Sequence, residues 1–302
     1  MAVGCSTINV GGTRLQVWDL NSYTRVNLTF PDLHTANITS LKSIGNTKFA
    51  SGSDDGTIKI WSIENDSCLL TLNMTNSVRS LVLLPNGYLA SGLANGSIVL
   101  LNTNDSFKTF KVLSHGGKIN GLELLENGDM ASGSDDGFIK IWNAYTFELN
   151  NTLNAGYPVK CLKRLPNNRL ASGLGGSNQI VIWDLNGNDN FDNSILNNLT
   201  FCNMINALEY WGDELLACGS EDNKVLVWNL TASSHFKTFT AFSLAVNTLR
   251  ALPDGNLTSG SSDRLVRIWN KQSDSPQKDL EVNCQVFAAE LLGKLAKNFN
   301  EK

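Results

Sequence analysis

The chain has 302 residues, 42% of them hydrophobic and 17% charged, with a formal net charge of −4 and a pI near 5.4. That apolar content suffices for a large core, and the acidic balance offers no basic stripe of the kind that DNA or RNA binding requires. No run reaches the roughly 18 apolar residues of a membrane span, and Met1-Ala2-Val3-Gly4-Cys5 lacks the basic-then-apolar start of a secretory signal.

Near the start of the chain, Gly11–Trp18 and Arg25–Phe30 each read as a strand. A segment then begins to recur: Ser51-Gly52-Ser53-Asp54-Asp55-Gly56 ends at Trp61, and Ser132 to Gly137 ends at Trp142. Weaker copies begin at Ser91, Ser172, Cys218 and Ser259, so the starts advance by 40, 41, 40, 46 and 41 residues. A fixed period in this range signals a repeat architecture and overrides the two domains that length alone would suggest.

One copy shows what each repeat encodes. Val78–Leu84 is a β-branched and apolar run, Pro85-Asn86-Gly87 a turn, and Tyr88–Gly92 a second strand. Ala94-Asn95-Gly96 is the next tight turn and Ser97–Leu101 a third strand. A fourth, more polar strand follows over Phe107–Leu113, matching Leu69–Asn73 one repeat earlier and Phe236–Phe239 later. Four short antiparallel strands per unit of about 40 residues predict a propeller blade.

Six complete blades are expected near residues 36-74, 77-113, 118-154, 158-203, 204-242 and 245-282, with first strands starting near Ile38, Val78, Ile119, Val159, Ile205 and Val246. A seventh is split between 1-32 and 283-298, with Cys284–Glu290 as its first strand. Both Met1–Gly4 and Lys294–Ala296 fit its second strand, and only one can hold that place. The expectation is a single all-β domain over 1-302, a seven-bladed β-propeller of four-stranded antiparallel blades. Pairing of N- and C-terminal strands would close its ring and remove two exposed sheet edges.

Trp18-Asp19 and Trp183-Asp184 end third strands, and Asn or Ser follows Trp61, Trp142, Trp228 and Trp269. With the ordered repeats, this resembles the WD-repeat family over essentially the whole chain. The resemblance implies a hydrogen-bonded tetrad in a complete blade, carried here by His34, Ser51, Asp55 and Trp61 and by His115, Ser132, Asp136 and Trp142. Each set also contains the Ser, His and Asp of a hydrolytic triad. A hydroxyl tied to a Trp inside a blade, however, has no oxyanion hole beside it. The other blades depart from the pattern, with Met74, Ala155, Phe201 and Phe242 at the His place. Asn95 and Leu101 stand for Asp and Trp in the second blade, and Cys218 stands for Ser in the fifth.

The six cysteines are scattered without a C-x-x-C pair. They read as reduced thiols of a cytoplasmic chain, with the nucleus as the alternative. Neither a metal site nor a cofactor is expected. The insertion Asn186–Asn193 lacks the Gly and Glu of a calcium loop and reads as solvated. The Asn-x-Ser/Thr triplets at Asn27, Asn37, Asn198 and Asn256 are expected by chance in so Asn-rich a chain. Trp211, in the Tyr210–Asp213 turn, is either an exposed interface anchor or a cap on its own blade.

In this family partners bind the face that carries the turns before the first strand and between the second and third. The residues placed there are Arg79, Asn120, Lys160, Asn206, Asn247 and Gln285 around the channel mouth, with Asp54, Asp135, Glu221 and Arg264 in the turns. The expected function is a non-catalytic scaffold or adaptor for protein or peptide partners, a monomer or a subunit of a larger complex, with no nucleic acid or membrane partner. One alternative is the substrate receptor of a ubiquitin ligase, but Trp18-Asp19-Leu20-Asn21 and Trp183-Asp184-Leu185-Asn186 lack the Arg of that signature. The other is a propeller enzyme, disfavoured by three histidines of which two belong to the tetrads.

Overall fold

The computed structural model describes residues 2–6, 14–19, 22–26, 33–186, 195–200, 204–282 and 285–290. Among them every regular element is a β-strand. Six blades follow one another in the chain, each a four-stranded antiparallel sheet in sequence order. Their inner strands are Ile38–Ser43, Val78–Leu83, Ile119–Leu124, Val159–Leu165, Ile205–Tyr210 and Val246–Ala251. A further sheet pairs Gln285–Glu290 with Ala2–Ser6, that strand with Arg14–Asp19, and Arg14–Asp19 with Thr24–Val26. The N-terminal segment therefore takes the second-strand place of the terminal sheet; residues 294–296 lie outside the described residues.

The recurring Ser-Gly of the second strands owes its glycine to blade stacking. A Cβ on Gly52 would lie 2.4 Å from Val78 Cγ1, and one on Gly92 2.5 Å from Ile119 Cγ2. The same contact recurs between Gly133 and Val159 at 2.5 Å and between Gly260 and Val286 at 2.4 Å. Each second strand thus lies against the first residue of the next inner strand, and any side chain would force the blades apart. Second strands such as Leu257–Ser261 are buried throughout, whereas outer strands such as Ser67–Asn73 are half-buried or exposed along their length.

The core lies between blades. Leu15 and Val17 of the terminal sheet pack with Ile38, Phe49 and Trp61 of the first blade, while Trp18 packs with Val266 and Ile268 of the sixth. Trp61, Trp183 and Trp269 are buried third-strand residues, and Trp269 stacks on Phe239 of the fifth blade with ring centroids 4.4 Å apart.

Two details differ from the sequence reading. Trp211 is 3% exposed, and its Nε1 donates to Gly255 O at 2.9 Å, so it caps the junction of the fifth and sixth blades. Its apolar ring excludes water there, and the indole N–H finds a carbonyl. The outer strand of the second blade runs Lys108–Ser114, because Ser106 and Phe107 adopt positive φ of 49° and 58° and belong to the turn.

Candidate functional site

The trio that resembles a hydrolytic triad is wired inward. Trp61 Nε1 donates to Ser51 Oγ at 2.7 Å, and the Ser51 hydroxyl reaches His34 Nε2 at 2.6 Å. His34 Nδ1 then donates to Asp55 Oδ2 at 2.9 Å, which also accepts Thr35 N–H. This tautomer is the one the network satisfies. The third blade repeats it through Trp142, Ser132, His115 and Asp136 at 2.8, 2.7 and 3.0 Å. Burial holds both imidazoles below their ordinary pKa despite the adjacent carboxylates, so each stays neutral. Burial alone would raise Asp55, but hydrogen bonds from Thr57, Thr35 and His34 hold it below the usual carboxylate range. Ser51 and Ser132 are wholly buried, so neither hydroxyl meets a substrate.

The remaining blades depart from this network in different ways. In the sixth, Arg267 Nη1 donates to Asp263 Oδ2 at 2.8 Å and its guanidinium lies 4.7 Å from the Phe242 ring centroid, so an Arg–Phe pair replaces the histidine. Trp183 and Trp269 still donate to Ser172 and Ser259. In the second blade Ser91 Oγ is buried with no hydrogen-bond partner among the described residues. Leu101 and the exposed Asn95 offer it nothing. Burial pushes the thiol of the half-buried Cys161 up to about 12 and that of the buried Cys218 well above its usual value, which disfavours the thiolate at both.

The inner strands surround a central channel of about 420 Å³. At its mouth the second residues of four inner strands point to the next blade. Asn120, Asn206 and Asn247 donate to the carbonyls of Val159, Val246 and Val286 at 2.8, 3.3 and 2.8 Å, and Thr39 Oγ1 donates to Val78 O at 2.5 Å. These side chains stitch neighbouring blades together. Arg79 and Lys160 break the series, each reaching a turn carboxylate: Arg79 Nη1 to Asp54 Oδ1 and Lys160 Nζ to Asp135 Oδ1, both at 2.7 Å. Gln285 does not belong to this ring. Val286 meets Gly260 as Val78 meets Gly52, so Phe287 holds the equivalent position and Gln285 falls before the strand's first packing residue. Glu221 and Arg264 are exposed in the turns of the fifth and sixth blades. Arg264 has a φ of +71° where the first three blades carry Gly56, Gly96 and Gly137.

Deeper in the channel lies a belt that reasoning from the turns missed. Lys42 meets Glu290 at 3.1 Å, Glu290 meets Arg250 at 3.0 Å, Arg250 meets Glu209 at 3.4 Å, and Glu209 meets Lys163 at 2.9 Å. Burial opposes the Arg250 charge, but the surrounding carboxylates raise its pKa beyond the usual arginine range. The sequence carries the signal. The fourth residue after Ile38, Val78, Ile119, Val159, Ile205, Val246 and Val286 reads Lys42, Val82, Glu123, Lys163, Glu209, Arg250 and Glu290, alternating in sign except at Val82.

Residues 27–62, 107–143 and 233–270 match the family model described as WD domain, G-beta repeat. A p21-activated protein kinase-interacting protein 1-like protein of Danio rerio is 23% identical over 202 residues, covering 55% of this chain. The match covers 55% of that relative, so the chain spans about half its length. The crystal structure of the RRP9 WD40 repeats shares the fold with a TM-score of 0.75 at 18% identity, covering 85% of this chain and 84% of that one.

Proposed function

We propose that this chain, a WD-repeat protein by its repeats and its propeller fold, is a non-catalytic scaffold or adaptor that binds protein or peptide partners at the channel mouth. In this reading the terminal sheet is the seventh blade and closes the ring. Glu290, on the C-terminal strand, supports that closure by pairing with Arg250 of the sixth blade and Lys42 of the first. The cytoplasm is the compartment proposed, in keeping with thiols whose burial disfavours the thiolate.

One observation carries the reading. The mouth presents Arg79, Asp54, Lys160 and Asp135 from separate blades, fixed by inter-blade hydrogen bonds rather than by flexible loops. A partner meeting such a surface need not order it, and the entropy cost of binding falls accordingly. The test is affinity purification from the native organism with the wild-type chain and with Arg79→Glu/Lys160→Glu. Loss of the wild-type partners in the double variant, with its melting temperature retained, supports the mouth as the binding face. Unchanged partners place binding elsewhere.

A further inference from the structure

The mouth is not electrically even. Between Arg79 and Lys160 lies Lys118, in the Gly116-Gly117-Lys118 turn that leads into the third blade. Arg79 and Lys160 each hold a carboxylate at 2.7 Å, but Lys118 Nζ comes only within 3.8 Å of Asp135 Oδ2, beyond hydrogen-bond reach. Asp135 is already engaged by Lys160 and Asn120. Three cations therefore share two carboxylates, Asp54 and Asp135. Arg79 Nε is also buried without a partner among the described residues. Burial, and then the positive charge of Arg79, lower the Lys118 pKa, as expected of an under-compensated cation.

The local backbone leaves this cation reachable. The Lys118 side chain is 34% exposed, and glycines let the turns beside both lysines pack closely, since a Cβ on Gly117 would lie 2.8 Å from Asp136 N and one on Gly175 2.5 Å from Lys160 Cε. Tyr157, 48% exposed, stands on the same rim against Gly137 and Gly176.

We propose that this sector of the mouth binds an acidic peptide segment, whose Asp or Glu carboxylate hydrogen-bonds to Lys118 between Arg79 and Lys160 while a neighbouring apolar residue lies on Tyr157. The incoming carboxylate brings three negative charges to three positive ones. The inference rests on the platform reading above and names the chemistry of its partner.

The test is selection of random peptides displayed on phage against the immobilised chain, followed by fluorescence anisotropy with the enriched peptides. Enrichment of Asp and Glu is expected. Lys118→Gln should weaken those peptides about tenfold, the loss of one charge-assisted hydrogen bond, and Lys118→Arg should retain most of the affinity. Asp135→Asn, which frees two cations, should tighten binding. Thermal melts of the two Lys118 variants should match the wild type, because Lys118 lies beyond hydrogen-bond reach of Asp135, while Asp135→Asn should melt somewhat lower through loss of the Lys160 ion pair. Enriched peptides without acidic bias, or equal binding by Lys118→Gln, would overturn the inference while leaving the platform intact. Binding that requires phosphoserine in place of Asp or Glu would overturn the carboxylate as its source. No enrichment over a blank surface would count against peptide binding, and so against the platform reading itself.

Discussion

Replacing Asp55 by alanine tests whether the tetrad holds a blade together. Its carboxylate accepts four hydrogen bonds, from His34 Nδ1 at 2.9 Å, Thr35 N at 2.9 Å, Thr57 N at 2.8 Å and Thr57 Oγ1 at 2.7 Å. Thr35 is exposed and its N–H can turn to water, whereas the His34 side chain is 0% exposed and keeps only Thr57 Oγ1, 3.0 Å from its Nδ1. Each of the four bonds contributes roughly 0.5–1.5 kcal/mol net. The expected loss is about 3–5 kcal/mol. With an unfolding entropy of about 2 cal/mol/K per residue, that lowers Tm by roughly 5–8 °C in a chain of this length. Asn95 holds the same place in the second blade, but it is exposed and makes only a 3.5 Å bond to Thr75 and a turn bond from Ser97. Asn95→Ala should cost under about 1 kcal/mol. Differential scanning calorimetry of both variants, with Asp136→Ala as the replicate blade, decides the matter. Equal shifts for Asp55→Ala and Asn95→Ala would refute the role assigned to the tetrad.

The pH dependence follows from the histidines. The folded pKa values of His34 and His115 lie below the ordinary 6.5, so on acidification the unfolded chain takes up protons that the folded chain refuses. Stability should be level above pH 6.5 and fall below it, with a further loss below 3.8 as Asp55 and Asp136 protonate; a Tm that rises between pH 7.5 and 5.5 would contradict this sign. Gly133→Ala should destabilise by about 1–3 kcal/mol through overpacking against Val159, and adding Val159→Ala should recover part of that loss in urea melts. Arg250→Ala should cost about 2 kcal/mol, since the buried Glu209 and Glu290 would each lose one of two cations and keep only Lys163 and Lys42. A chemical denaturation midpoint equal to wild type would remove the belt from the account.

The blade plan was legible because its signals are short-range. Pro-Asn-Gly and Asn-Gly turns, apolar runs and the third-strand Trp all lie within one repeat, and inner strands begin at Ile38, Val78, Ile119, Val159, Ile205 and Val246. What escaped depends on contacts about 40 residues apart. Asn120, Asn206 and Asn247 look like ligand-facing amides in sequence but stitch to the next blade. Arg79 and Lys160 read as free cations until the turn aspartates fold over them. Gln285 was misplaced because no Pro-Asn-Gly turn marks the register of the last strand, which is set instead by the Val286–Gly260 contact. Lys118, in a glycine turn with no motif of its own, gains meaning only from the cations beside it.

Docking at the channel mouth, as proposed, can be read by lysine-acetylation footprinting of the free chain and of its complex with a captured partner. Lys118 and Lys160 sit at the mouth, while Lys108 and Lys278 project from outer strands. Complex formation should shield Lys118 and Lys160 and leave Lys108 and Lys278 as reactive as before. Shielding of the outer-strand lysines with the mouth unchanged would contradict it.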